Sequence, residues 1–419
     1  MRLLSGLLEK FVKNGTLRIY DASGQLHVFG GKLPGPLVTA RINQPGLETK
    51  LFLNPELRAG EAYMDGALTF EEGSAIHDLL LLFSINRSSL AAHGSQRLLR
   101  KLWRGLRRWH QANPVGTAAA HARHHYDLST DLYRLFLDED LQYSCAYFHD
   151  PARDTLEEAQ RCKLIHATAK LQLERGMTVI EIGSGWGGFA IHLAKEASVR
   201  VVGINVSPEQ NHVANERAKA AGVTDLVEFR EIDYRQTDGR FDRVVSVGMM
   251  EHVGIAHFDE YFAKIRSLLK DDGYAFVHCI GRMSPPGTTG PFIRKYIFPG
   301  GYVPALSEVL GATERNGLWV ADIEILRLHY YHTIRHWRER FAQNRERAAQ
   351  IYDERFCRMW EFYLAAVELE FLHGSHMVFQ LLAAKTRDAV PIRRDFMFDA
   401  ERAAGQSKVR LGSEPTDAR

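Results

Sequence analysis

Cysteine is scarce in this chain. Four occur in 419 residues, Cys145, Cys162, Cys279 and Cys357, and no two form a C-x-x-C pair. That argues against a disulfide framework or a cysteine-based zinc module and fits a reducing cytoplasm. Long apolar runs are missing as well. No stretch approaches about 18 uncharged apolar residues, so no bilayer-spanning helix is expected. The opening run Met1–Lys10 reads as an amphipathic helix, with Glu9 and Lys10 interrupting what a signal peptide would keep apolar. An excess of one charge is also absent. Lys+Arg number 53 and Asp+Glu 51, a net charge of +2. No whole-molecule field therefore favours nucleic acid, and an anionic partner must be met by a local patch. What remains is ordinary for a globular protein: 45% hydrophobic and 25% charged residues, in a chain long enough for two or three domains.

Residues 1–95 read as a small α+β domain. Gly15–Asp21 and Gln25–Phe29 alternate around Ala22-Ser-Gly, a hairpin signal. Leu37–Ile42 and Lys50–Leu53 read as further strands, and Ile76–Ile85 as a helix. Residues 96–119 form a basic segment and linker. Leu98, Leu99, Leu102, Trp103, Leu106 and Trp109 recur at helical spacing there, between Arg97, Arg100, Lys101, Arg104, Arg107 and Arg108. Such a helix suits an anionic membrane surface, or else packs its Leu/Trp face on protein and leaves a solvated basic face. From 120 to 402 the pattern is α/β. Thr178–Ile182, Arg200–Asn205, Leu226–Glu231, Asp242–Gly248 and Tyr274–Ile280 are strand-like, with helical stretches expected between the first four. That order predicts a mostly parallel sheet. Met283–Pro304 is a Pro/Gly-rich excursion of the kind that forms lids or binding loops. Trp319–Leu328 reads as a strand, 332–372 as long helices, and Met377–Leu382 as a strand able to close the sheet. The tail 403–419 is expected to fray.

Gly183, Gly185 and Gly188 satisfy G-x-G-x-x-G where a strand enters a helix, a turn that lets backbone approach a ligand at a helix N-terminus. Dinucleotide enzymes place an acid after the second strand; here that strand ends at Asn205. Instead Glu181 stands at the tip of the first strand, two residues before Gly183, where its carboxylate can meet an ammonium or sulfonium. The pattern favours an S-adenosylmethionine methyltransferase over a dinucleotide enzyme. Asp233 and Tyr234 follow the third strand and suit an adenine ring, or equally a helix cap and a packed tyrosine. His121, His124 and His125 are better read as solvated or packed than as metal ligands, having no acidic or cysteine partner close in sequence.

Several motifs in order carry a more specific likeness: His125–Ser129 (HYDLS), Gln142–Phe148 (QYSCAYF), Glu181–Gly188 (EIGSGWGG), Ser246–Gly254 (SVGMMEHVG) and Tyr296–Gly301 (YIFPGG). Across about 120–385 the chain resembles cyclopropane-fatty-acyl-phospholipid synthases and the related mycolic acid cyclopropane synthases. Gly60–Gly66 (GEAYMDG) extends the likeness more loosely to the lipid-binding domain of longer bacterial members. The resemblance implies a Rossmann-like S-adenosylmethionine methyltransferase domain with a mostly parallel sheet, preceded by a small α+β lipid-binding-type domain. It implies methylene transfer from S-adenosylmethionine to the cis double bond of an unsaturated phospholipid acyl chain, with bound bicarbonate as base. It places Cys145, Glu251, His278, Ile280 and Tyr330 around that ion. Tyr126, Tyr143, Ser144, Glu181, Gly183, Ser184, Gly185, Gly187, Asn205, Gln210, Asp233 and Tyr234 take cofactor positions. It further implies a peripheral site at the cytoplasmic face of the inner membrane and a homodimer. Val367 and Leu372 depart from the family pattern, and Ser184 stands where a cysteine is common.

The chemistry is compatible with these residue types. An alkene offers no proton to a Ser–His base, so alignment with the methyl donor must do the work. The resulting carbocation needs a dry pocket and a nearby anionic base. A lipid C-methyltransferase giving a methyl or methylene branch would share the same cation and differ in the proton removed. A lipid-binding protein without turnover is the third reading, against which Glu251, His278 and Tyr330 argue.

Overall fold

The computed structural model describes residues 1–90 and 128–411. The basic segment 97–111, the three histidines and Tyr126 lie outside the described residues. The described chain forms two compact units that interleave in sequence. The first takes residues 1–136, 282–305 and 330–377; the second takes 137–281, 306–329 and 378–419. In this grouping an excursion, residues 282–305, and a helical block, residues 330–377, go with the N-terminal residues.

The first unit contains a four-stranded sheet of β1 (Asn14–Tyr20), β2 (Leu26–Gly30), β3 (Leu33–Ile42) and β4 (Leu68–Glu71), in the order β2-β1-β3-β4. The expected hairpin is present, with Leu17 opposite Phe29, while β3 runs parallel to β1. Leu17, Ile19, Val38, Ala40 and Ile42 are buried, as are Leu79 and Leu82 of the helix Ile76–Ile85. The run expected as a strand at Lys50–Leu53 is instead the helix Leu47–Leu53, started by Gly46 at φ +80 and buried through Leu47. The helix Pro55–Met64 packs against the long helix Glu354–His373. A Cβ on Gly60 would lie 2.4 Å from the Phe292 ring, so only glycine permits this approach. Beside it, Glu61 accepts from Lys295 Nζ at 2.6 Å and from the Tyr296 hydroxyl at 2.9 Å. The GEAYMDG and YIFPGG motifs therefore meet, which is why the excursion belongs to this unit.

The second unit is built on a seven-stranded sheet: β5 (Thr178–Ile182), β6 (Arg200–Asn205), β7 (Val227–Glu231), β8 (Phe241–Val247), β9 (Leu269–Arg282), β10 (Trp319–Leu326) and β11 (His376–Ala384). Its order is β10-β11-β9-β8-β5-β6-β7. The pairs β5/β6, β6/β7, β5/β8 and β8/β9 are parallel, and β10/β11 is antiparallel. The β-branched strands are buried on both faces, as a covered parallel sheet requires. Only a 3-10 turn, Tyr234–Gln236, lies between β7 and β8, where a helical stretch was expected. The strand Met377–Leu382 does appear, but inside the sheet rather than at its edge. The chain leaves β5 for β6 on one side and returns as β8 on the other. That reversal is a topological switch point at the carboxyl ends of β5 and β8, the usual ligand position in such sheets.

Candidate active site

β5 turns through Gly183, Ser184, Gly185, Trp186 and Gly187 into the helix Gly188–Ala197. Gly183, Gly185 and Gly187 hold φ at +83, +53 and +78, values that side chains disfavour. The amides of Gly183 and Ser184 both donate to the Ile204 carbonyl, at 2.9 and 3.1 Å. A Cβ on Gly187 would stand 2.4 Å from the Phe229 ring, and one on Gly188 2.2 Å from Gln142 Nε2. Glu181 is buried at the start of this turn. Its Oε2 and the Ser184 hydroxyl are buried without hydrogen-bond partners among the described residues. Burial pushes the Glu181 carboxyl up to about 8, against the pull of Lys163 and the Ala190 amide. Two unsatisfied oxygens at a glycine turn fit a ligand that brings its own donors, as the amino-acid end of S-adenosylmethionine does.

At the end of β6, Asn205 Nδ2 donates to Gln210 Oε1 at 2.7 Å and to the Gly185 carbonyl at 3.4 Å. Its Oδ1 accepts from the Val206 and Ser207 amides. Asn205 and Gln210 thus tie the second strand to the glycine loop. Asp233 caps the 3-10 turn and grips Arg235 through Nε and Nη2, at 2.9 and 2.6 Å. Burial would raise its carboxyl, but Arg235 holds it below the usual range. Tyr234 is buried edge-on against Tyr261, centroids 5.7 Å apart. The capping-and-packing alternative describes what these two side chains do here.

The QYSCAYF segment is held by the helix Leu156–Ala169. Gln160 Nε2 donates to the carbonyls of Gln142 and Ser144, at 3.1 and 2.9 Å. The fully buried Lys163 donates to Gln142 Oε1 and to Ser144 Oγ. Burial lowers its ammonium to about 8, while Asp138 and Glu181 work to keep it charged. Tyr143 and Ser144 are half-buried, and Cys145 is buried with its thiol donating to the Ala146 carbonyl. The Gln142 amide that presses on Gly188 therefore joins this segment to the glycine loop.

Glu251 lies on the 3-10 turn Met250–His252, just beyond β8. Val247 pairs with His278, and the Gly248 amide donates to the His278 carbonyl at 2.9 Å. The Ile280 amide donates to Glu251 Oε1 at 2.6 Å. Ile280 thus orients the carboxyl through its backbone. Among the described residues Glu251 Oε2 has no hydrogen-bond partner by geometry, while the Cys279 thiol interacts with this carboxyl. Burial pushes the carboxyl up to about 7, opposed by the Ile280 amide. His278 is also buried, its Nδ1 3.2 Å from Gln380 Nε2. Burial and the cations Lys163, Lys170 and His166 hold its imidazole well below the usual value. A neutral imidazole and a buried carboxyl are side chains of the kind that could hold a small protonated oxyanion such as bicarbonate, which can donate and accept. Tyr330 belongs to the first unit, where it packs edge-on against Trp337.

The sequence reading passed over Gln142, Gln160, Lys163, Lys170 and Gln380. A signal existed for two of them. Gln160 and Lys163 share an otherwise apolar face with Leu156, Ala159 and Leu164, and a buried polar residue needs a partner.

Known proteins agree with this architecture. The family described as mycolic acid cyclopropane synthetase matches residues 115–381. A probable fatty acid methyltransferase of Pseudomonas putida is 36% identical over 84% of this chain and 88% of its own length. The cyclopropane-fatty-acyl-phospholipid synthase of Escherichia coli K12 is 42% identical over 58% of this chain and 62% of its own length. The structure of the mycolic acid cyclopropane synthase CmaA1, complexed with SAH and CTAB, superposes with a TM-score of 0.60 at 31% identity, over 64% of this chain and 98% of that one. Strand order, glycine loop and sequence relatedness together place this chain in the mycolic acid cyclopropane synthetase family of S-adenosylmethionine-dependent methyltransferases.

Proposed function

We propose that this enzyme transfers a methylene group from S-adenosylmethionine to the cis double bond of an unsaturated phospholipid acyl chain, giving a cyclopropane ring. The observation that carries the reading is the buried Glu251 Oε2, unsatisfied by geometry among the described residues, on a carboxyl oriented by the Ile280 amide and close in register to His278. S-adenosylmethionine supplies an electrophilic methyl group to the alkene, and bicarbonate supplies a base for the methyl proton whose loss closes the ring. Glu251 and His278 are the residues proposed to hold that ion, with Cys145 and Tyr330 assigned to it by the family resemblance alone. Glu181, Ser184 and the turn through Gly183, Gly185 and Gly187 are proposed to take the amino-acid end of the methyl donor. Tyr143, Ser144, Asn205 and Gln210 are proposed to flank it, with Tyr126 outside the described residues. Asp233 and Tyr234 are proposed to wall the adenine side, Asp233 remaining paired with Arg235.

The protein's own contribution is alignment and dryness. Glu251, His278 and Cys145 are buried, which supports a site where the water that would trap a carbocation is kept out. A membrane-surface role rests on the basic segment Arg97–Arg108 and on the CTAB bound by the related synthase. Among the described residues no helix is long and apolar enough to cross a membrane. A second reading, transfer ending in a methyl or methylene branch, is supported by the fatty acid methyltransferase relative. Incubating the protein with S-adenosylmethionine and unsaturated phospholipid vesicles separates the two. The cyclopropane reading expects one added methylene unit per modified double bond in a product that resists catalytic hydrogenation. An added carbon in a branch overturns it.

A further inference from the structure

The His278 imidazole is read by a chain of side chains behind it. Gln380 on β11 lies with Nε2 3.2 Å from His278 Nδ1, and its Oε1 lies 2.5 Å from Lys170 Nζ. An ammonium group has three donors and no acceptor. The amide oxygen is therefore the end that faces Lys170, and the amide NH2 is the end that faces His278. Nδ1 must accept, which leaves the imidazole proton on Nε2.

Lys170 is itself fixed. Its Nζ also donates to Glu324, whose carboxylate pairs with His166 Nε2 at 2.7 Å. His166 Nδ1 meets Glu401. Both nitrogens of His166 thus face carboxylate oxygens. Burial would lower its pKa, but the two carboxylates raise it. Burial would likewise raise Glu324, yet His166 and Lys170 hold it down to about 2. Burial lowers the pKa of the Lys170 ammonium, and the Glu324 carboxylate works to keep it charged. The Tyr274 hydroxyl, bonded to the Lys170 carbonyl at 2.9 Å, secures the backbone end. Gln380 and His278 are 1% and 3% exposed, so bulk water has little access to either end of the amide. Apolar side chains would fill this space without the cost of burying polar groups. Unlike them, this chain of donors distinguishes the two nitrogens of His278.

We propose that Lys170 and Gln380 are positioning residues that hold His278 as its Nε2–H tautomer, so that the ring offers a hydrogen-bond donor to the small anion of the site. This rests on the reading of His278 as an anion donor given above.

The full-length protein labelled with 15N-histidine tests it, with His278 assigned by the signal lost in His278→Asn. The expected spectrum shows a pyridine-type Nδ1 and a protonated Nε2. In Gln380→Glu the carboxylate keeps its pairing with Lys170 but offers Nδ1 only acceptors. The proton should move onto Nδ1, and kcat for lipid modification should fall about 100-fold, with KM for S-adenosylmethionine changing less than about threefold. Lys170→Met should give mixed tautomers, and Lys170→Arg should restore the parental spectrum and most of the turnover. A parental protein protonated on Nδ1, or a Gln380→Glu protein with an unchanged tautomer, overturns the relay whatever product the enzyme makes. A Gln380→Glu protein with the proton moved and turnover intact overturns instead the donor role of His278 and the reading of the site built on it.

Discussion

At the scale of residues, the site depends on carboxyl groups kept where water would normally solvate them. Glu251 titrates near about 7 in the folded chain against an ordinary value of 4.5. Between those values the folded protein holds a proton that the unfolded chain has released, so folding stability falls as pH rises through the window. Glu251→Gln removes that dependence because the amide is neutral throughout. The variant should match the parent in stability near about pH 5 and exceed it by up to about 3 kcal/mol near about pH 8. Its turnover should drop at least about 100-fold. Thermal unfolding at the two pH values, with an activity assay, checks both; an equal offset at both pH values contradicts the burial account. Part of this was legible beforehand. The family resemblance singles out Glu251, His278 and Cys145, and the structure links the segments of the first two through backbone, Val247 pairing with His278 and the Ile280 amide donating to Glu251. The backbone bond from Ile280 to Glu251 was not legible, since a main-chain donor leaves no mark on residue type. Nor was the commitment of Asp233 to Arg235, which competes with a ligand through a neighbour only two residues away.

At the scale of elements, the glycine turn and the segment facing it act as one piece. Gly187 combines a left-handed φ of +78 with a Cβ position 2.4 Å from the Phe229 ring. Gly187→Ala should therefore destabilise the second unit by about 2–4 kcal/mol and weaken S-adenosylmethionine binding. Denaturant unfolding and calorimetric titration measure the two effects; a loss under about 0.5 kcal/mol would show that the turn relaxes freely. The strands of the parallel sheet were readable because buried β-branched runs such as Val179–Ile182 and Val201–Ile204 have little alternative use. The strand expected at Lys50–Leu53 falls within the helix Leu47–Leu53 for the opposite reason. Seven residues support alternation and helical spacing equally well, and the decision falls to Gly46 and to the burial of Leu47. The interleaving of the two units was hidden too. It is set by tertiary contacts between distant motifs, Gly60 against Phe292 and Glu61 with Lys295 and Tyr296.

At the scale of the whole molecule, a net charge of +2 leaves any membrane attraction to local sequence. Arg97–Trp109 concentrates six cations among leucines and tryptophans, and each cation at an anionic surface contributes about 1 kcal/mol. Replacing Arg100, Lys101, Arg104 and Arg107 by Gln should reduce partitioning onto anionic vesicles by at least about 100-fold at low salt while leaving neutral vesicles unaffected. Sedimentation with vesicles of both compositions decides; unchanged binding assigns the segment to packing on protein.

The central claim is that one proton leaves the transferred methyl group as the ring closes. S-adenosylmethionine carrying a fully deuterated methyl group tests it directly, by mass and NMR spectra of the modified acyl chain. The account predicts one added carbon bearing two of the three methyl deuteriums, in a cyclopropane ring, with the third released. A product that keeps all three on a methyl branch, or that places the two-deuterium carbon in an exocyclic double bond, contradicts it.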